Sequence, residues 1–221
     1  MELVFIRHGQ PVLEVKHDGT SADPMLSELG QQQARLMANW LRDEPLDKII
    51  ASPLKRAVET AEALGTQRSM PVELDPMLAE FDRDSHEYIP SETLKKLDYE
   101  KWKSMGGQES GNSPLFKSFA ADVVRGVEGI VKQHPGQRVA LVCHAGVINV
   151  WTAHTLGFKP HLFFVPEYTS ISRFLAARSG ARSIETLNEA VHLRFRDEGE
   201  GWPAFSMEPM NGQDSMPRAP S

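Results

Sequence analysis

"ELVFIRHGQP", residues 2–11, carries an apolar run straight into an arginine, a histidine and a glycine. The unbroken run Leu3 to Ile6 reads as a buried core strand over 2–7, of the kind found in parallel sheets. In an open parallel sheet, ligands bind beyond the carboxyl ends of the strands, so this strand delivers Arg7 and His8 to the functional edge. "RVALVCHAGVINVWTAHTLG", residues 138–157, repeats the design with an apolar strand over 138–143, a turn at His144 to Gly146 and a helix running to Gly157.

Between these anchors strands and helices alternate, which implies an α/β three-layer sandwich with a mostly parallel central sheet. Ser27 is read as the N-cap of a helix carrying Leu29, Ala34, Leu36, Met37, Trp40 and Leu41 at helical spacing. "KIIAS" (48–52) reads as a short buried strand, and "PLKRAVETAEALG" (53–65) as a helix opened by Pro53 and closed at Gly65. A strand at "MPVELD" (70–75) and a helix over 114–134 follow, then two late strands, "TSISRFLAAR" and "ARSIETLN", joined through Ser179 and Gly180 and antiparallel at one edge. Residues 82–113 interrupt the alternation with a polar stretch and an expected helix at 91–103, suited to a lid. From Arg196 the chain loses all periodicity. The expected organisation is one unit over 1–195 with 82–113 as a lid-like insertion, and a C-terminal extension over 196–221 that serves as an arm.

At 221 residues the chain suits one sizeable domain, and a net charge of −6 argues against a nucleic-acid binder, whose affinity comes from clustered Lys and Arg. The only cysteine, Cys143, has no intrachain partner, which fits a reducing, cytoplasmic setting. No secretory leader and no stretch of membrane-spanning length is read, so no membrane partner is expected. A homodimer is compatible with everything in the sequence.

The chemistry gathers at strand ends. Arg7-His8-Gly9 and Cys143-His144-Ala145-Gly146 close two strands, Ser52-Pro53 closes a third, and Arg56 follows on the first turn of the next helix. Two guanidiniums near a helix N-terminus suit a tetrahedral dianion, each offering paired donors. A histidine among them is a nucleophile toward phosphorus if its other nitrogen is held as a donor, for instance by a backbone carbonyl. Cleaving an alkyl phosphate also needs a proton for the leaving oxygen, and Glu80 is placed to supply it if its pKa is raised by desolvation; Asp75, Asp82 and Asp84 compete for that role. Gly9 is expected to let the chain turn tightly beside the ligand.

The ordered series "FIRHGQ" (5–10), "DPMLSELGQQQA" (23–34), "ASPLKRAVETAEAL" (51–64), "LAE" (78–80), "HPGQRVALVCHAGVI" (134–148) and "SIETLNEAVHL" (183–193) resembles the histidine phosphatase superfamily, with its phosphoglycerate-mutase-like fold. The resemblance implies a phosphomonoesterase with His8 as the phosphorylated nucleophile, Arg7, Arg56 and His144 around the phosphoryl group, and Glu80 as proton donor. Substrate contacts are expected from Arg7, Gly9, Gln10, Arg56, His144 and Ala145, with a small phosphorylated metabolite or a phosphoprotein as substrate. It also implies no metal and no cofactor; the remaining histidines, His17, His86, His134, His154, His161 and His192, show no close ligand spacing and are read as structural or exposed. Departures fall on the rim: Pro11 replaces a usual Thr or Ser, "CHA" replaces Ser-His-Gly, and the Gly and Trp-Glu pattern after Glu80 is missing.

Three rivals were weighed. A cysteine phosphatase would need arginine at position 149, which is Asn149. A phosphoglycerate mutase would follow Arg-His-Gly with Ser-x-Trp-Asn, where this chain has "QPVLEV". A non-catalytic phospho-ligand binder would keep the pocket but lose turnover. Hydrolysis is the preferred expectation. Mixed charge in the lid, with Lys95, Lys96, Lys101 and Lys103 beside Asp82, Asp84 and Glu100, leaves the substrate open.

Overall fold

The computed structural model describes residues 1–104 and 106–194. Its main sheet runs in the spatial order β4 (Val72–Leu74), β3 (Lys48–Ala51), β6 (Arg138–Cys143), β1 (Glu2–Arg7), β7 (Ile171–Ala176) and β8 (Arg182–Glu189). The first four are mutually parallel, while β7 runs antiparallel to both β1 and β8, as expected for the late pair. A two-residue ribbon of β2 (Glu14–Val15) and β5 (Glu87–Tyr88) ties the start of the 82–113 segment to the loop after β1.

Side chains of a strand alternate between faces, and here that alternation divides the core in two. Leu3, Phe5, Val139, Leu141 and Cys143 join Trp151 and Phe174 under α5 (Pro114–Gln133) and α6 (Ala145–Leu156). Val4, Ile6, Ala140 and Val142 join Ile49 and Ala51 under α1 (Glu28–Trp40) and α2 (Lys55–Arg68). The result is the three-layer α/β sandwich. Trp151, fully buried, stacks on Phe5 at 6.2 Å between centroids, so α6 lies flat on the sheet centre and its start is fixed over the strand ends.

Ser27 caps α1, its hydroxyl accepting from the Gly30 amide at 3.0 Å. Three local readings need correction. Helix α2 passes through Gly65 to Arg68 and ends at Ser69, whose φ of 53° is left-handed. Gly65 is there for packing, because a Cβ would sit 2.9 Å from the Met70 carbonyl oxygen. No turn separates His144 from α6: His144 is itself the N-cap residue and the helix starts at Ala145. The helix expected over 91–103 is two helices, α3 (Ser91–Leu97) and α4 (Tyr99–Ser104). Asp98 breaks it by accepting the Lys101 amide at 2.9 Å, the habit of an Asp that prefers a cap to a helix interior.

The segment is pinned to the core through Glu92, which accepts from Gln10 Nε2 at 2.7 Å and from the Tyr168 hydroxyl at 3.1 Å. The extension expected over 196–221 lies outside the described residues. Among the described residues, no helix is long and apolar enough to cross a membrane.

Candidate active site

Hydrogen bonding continues past the strands and gathers their ends. The His8 amide donates to the Cys143 carbonyl at 2.9 Å and the Ser52 amide to the Val142 carbonyl at 2.9 Å, so β1, β6 and β3 release His8, His144 and Ser52 side by side. The His8 and His144 rings stand 5.0 Å apart. Gly9 is required by close approach rather than by a turn: a Cβ there would lie 2.6 Å from the Gly30 carbonyl oxygen of α1. Its amide donates to Thr60 Oγ1 at 3.0 Å, which holds the backbone beside α2.

His8 Nδ1 lies 2.7 Å from the Gly9 carbonyl oxygen. A carbonyl only accepts, so Nδ1 carries the proton and Nε2 keeps its lone pair. Burial, then the charges of Arg56 and Arg7, push the His8 pKa well below the usual histidine value, which keeps the ring neutral. His144 is lowered likewise, by burial first and then by Arg56. Its Nε2 is 2.7 Å from Ser52 Oγ, and its buried Nδ1 has no partner among the described residues. Ser52 Oγ also accepts the Leu54 amide at 3.3 Å, and its hydroxyl has a donor and a second acceptor site to turn on His144; where it donates, Nδ1 carries the ring proton and is a spare donor.

Both arginines are buried and under-compensated. Arg56 is 1% exposed, yet its nearest carboxylates, Asp82 and Asp23, are 3.8 and 3.9 Å away. It also sits on the first turn of α2, where the helix dipole disfavours a cation and Leu54 provides no side-chain cap. The Tyr88 ring lies 4.5 Å from its guanidinium carbon. Arg7 spreads its guanidinium 3.9 Å over the Tyr168 ring and donates to the Pro166 carbonyl. The Nε atoms of both arginines are buried without a partner among the described residues. Two buried cations beside two neutral imidazoles favour an anion with several oxygens.

Glu80 faces them from the loop after β4. Burial first, then the neighbouring Asp82, raises its pKa to about 7 against the pull of the Gly146 and Phe81 amides and Arg56. Gly146 N donates to Oε2 at 2.9 Å, and a Cβ on Gly146 would collide with Oε1 at 2.1 Å. Glycine is thus the residue that lets the start of α6 hold this carboxyl.

Arg7, His8, Arg56, Glu80 and Ala145 all line one cavity of about 410 Å³. His144 is fully buried and outside the lining, its ring 5.0 Å from that of His8. Gln10 lies outside the lining, its side chain engaged by Ser27 Oγ at 2.9 Å and by Glu92. Of the competing carboxylates, only Asp82 lines the cavity, its pKa also raised by burial; Asp75 caps the Met77 amide, and Asp84 is exposed beside Arg83. The sequence reading names Ser52 and Gly146 only as strand-end residues and does not name Tyr88 or Tyr168; no local signal marks their roles, since each acts on a residue distant in the chain. Cys143 is buried in the core, which pushes its thiol up and away from nucleophilic use. Of the six other histidines only His192 is buried, 3.1 Å from Thr169 Oγ1. Among the described residues no cluster of three or more His, Cys, Asp or Glu side chains is arranged to hold a metal ion.

The family model of the histidine phosphatase superfamily (branch 1) matches residues 3–190. A probable phosphatase of Schizosaccharomyces pombe is 28% identical over 214 residues, covering 90% of this chain and 99% of that one. A probable phosphoglycerate mutase of Yersinia enterocolitica is 28% identical over 168 residues, 73% of this chain and 77% of its own. The crystal structure of an Entamoeba histolytica phosphoserine phosphatase mutant in complex with phosphoserine superposes with a TM-score of 0.67 at 22% identity, covering 87% of this chain and 98% of that one, a likeness of fold.

Proposed function

The chain belongs to the histidine phosphatase superfamily, branch 1, and from that premise we propose that it hydrolyses phosphomonoesters through a phosphohistidine on Nε2 of His8. The observation that carries this reading is the fixed tautomer of His8: Nδ1 is bound to the Gly9 carbonyl, and the ring lines the cavity shared by Arg7, Arg56 and Glu80.

Arg7 and Arg56 hold the non-bridging phosphoryl oxygens, and His144 Nδ1–H joins them. The His8 Nε2 lone pair forms the N–P bond as the P–O bond to the alcohol breaks. Glu80 gives its proton to the departing oxygen, which a pKa of about 7 allows near neutrality. The resulting carboxylate then takes a proton from water, whose oxygen attacks phosphorus, breaks the N–P bond and restores His8 with release of inorganic phosphate. Lining the site with two neutral imidazoles avoids adding cations to the arginine pair.

Phosphate release from a panel of monoesters tests the reading. His8→Ala should abolish it; full activity in that variant would overturn it. The likeness to a probable phosphoglycerate mutase favours one alternative, return of the phosphoryl group to a second hydroxyl. Incubation of a turned-over monoester with a second alcohol, and with 3-phosphoglycerate, separates the two, since hydrolysis yields only inorganic phosphate and transfer yields a new phosphate ester or the isomer. A cytoplasmic setting and a small-molecule substrate are part of the proposal, supported by the lone buried Cys143 and by the size of the cavity, about 410 Å³.

A further inference from the structure

The cavity is sharply divided. Arg7, His8, Arg56, Glu80 and Asp82 form the phosphoryl end. The remaining wall is apolar, built from Phe81, Ile89, Leu94, Trp102, Leu162 and Phe163. Asn149 and Ser91 on that wall are engaged by the protein, and the Tyr88 hydroxyl and Lys103 are its other polar side-chain groups. Asn149 donates to the Ala145 and Phe164 carbonyls and accepts the Phe163 and Phe164 amides, which spends its amide on the protein. Ser91 Oγ accepts from Trp102 Nε1 at 2.9 Å, so the indole offers the cavity only its ring.

Three of the four lysines of the 82–113 segment stay out of the cavity lining. Lys101 pairs with Glu87 at 2.9 Å, Lys95 rests its ammonium 4.8 Å from the Trp102 centroid without lining the cavity, and Lys96 is exposed. Only Lys103 among them reaches the lining, and it is exposed. A carboxylate on the substrate would therefore lose water without gaining a buried partner, and would face Glu80 and Asp82. An apolar group would instead remove its own surface and that of the wall from water.

Resting on the phosphatase reading above, we infer that the substrate is a phosphomonoester whose alcohol half is uncharged and apolar, rather than a small carboxylate-bearing phosphate. Such a substrate places its phosphoryl group between Arg7 and Arg56 and its hydrocarbon against Trp102, Leu94 and Leu162.

Alkylphosphonates test this without turnover, because their C–P bond survives. Affinity of the full chain, measured by calorimetry from methyl- to butyl- to hexylphosphonate, should rise roughly three- to fourfold per methylene, the increment of a buried CH2. Butylphosphonate should bind more than tenfold tighter than 3-phosphonopropanoate, its carboxylate-bearing counterpart. Trp102→Ala should shrink the hexyl-to-methyl ratio severalfold. Equal affinities along the series, or tighter binding of 3-phosphonopropanoate, would overturn the inference. The same preparation assayed for phosphate release keeps the two readings apart. Ester hydrolysis with flat phosphonate affinities defeats the apolar wall alone; chain-length-dependent binding with no hydrolysis of any monoester defeats the phosphatase alone.

Discussion

Arg173, half-buried, and Arg56, buried, are arginines tied to the same sheet, one beside each end of the parallel strands. Arg173 is surrounded: Glu189 lies at 3.0 Å, Glu2 at 3.1 Å, and both Glu44 oxygens accept from it. Arg138 shares Glu2 and Glu44, completing a network near the start of β1. Arg56 has only 2% of its side chain exposed against 13% for Arg173, yet among the described residues no carboxylate comes closer than 3.8 Å. The more buried cation is the less compensated one. An arginine with its acids in place holds the fold together; one without them, set against a helix dipole, is held by the fold for an anion.

Exchanging each arginine for methionine would sharpen that contrast most. Arg56→Met should lower kcat/KM by about 10³ while leaving stability unchanged or raised, because an unpaired buried charge is removed. Arg173→Met should do the reverse, costing about 2 kcal/mol by leaving Glu2 and Glu44 facing one arginine instead of two, with kcat/KM little altered. Denaturant titration beside steady-state kinetics reads both; equal stability losses would break the comparison.

Glu80 gives the next largest effect. Its proton is required for the first step, so kcat/KM for an alkyl phosphate should fall as pH rises through about 7. Glu80→Gln should lose about 10² on alkyl phosphates, lose that alkaline limb, and lose less on aryl phosphates, whose leaving groups need less help. Gly146→Ala should approach the same loss by pushing the carboxyl from the α6 amide. Stability follows the same group: folded Glu80 binds its proton up to about pH 7, while unfolded Glu80 releases it near 4.5. The folded state therefore holds the extra proton between those values, and wild-type stability relative to Glu80→Gln should decline from pH 4.5 to 7 and level off above. A flat difference would contradict the raised pKa.

The smallest effect belongs to Glu92, which ties α3 to the core. Glu92→Gln keeps the size of the side chain but weakens the bonds from Gln10 and Tyr168, and should raise KM a few-fold with less effect on kcat. An unchanged KM would mean that α3 holds its place without Glu92.

Much of this was readable in the residues alone. Strands at 2–7 and 138–143 follow from apolar runs, and the start of α1 follows from Ser27, because both signals are local. Arg7, His8 and His144 stood at strand ends and Arg56 on the first turn of the next helix, where topology brings them together; Arg7, His8 and Arg56 line one cavity and His144 is buried beside His8. What escaped depends on contacts across the chain. Gly65 looked like a helix stop and proved a packing site against Met70. Gly9 looked like a turn and proved a clearance for α1. The lid's lysines and acids were visible as mixed charge, but composition does not say which face they take, and the apolar wall emerged only from the fold. Ser52 and Tyr168 orient His144 and Arg7 from distant positions, which no spacing rule relates.

The central claim is that phosphorus becomes bonded to His8. Rapid quenching of wild-type protein during turnover of a radiolabelled phosphomonoester, followed by peptide mapping, tests it most directly. The account predicts an acid-labile, alkali-stable phosphate on the peptide containing His8, formed and discharged at rates compatible with turnover and missing from His8→Ala. Label on a different residue, or steady hydrolysis with no phosphoenzyme at any quench time, would contradict it.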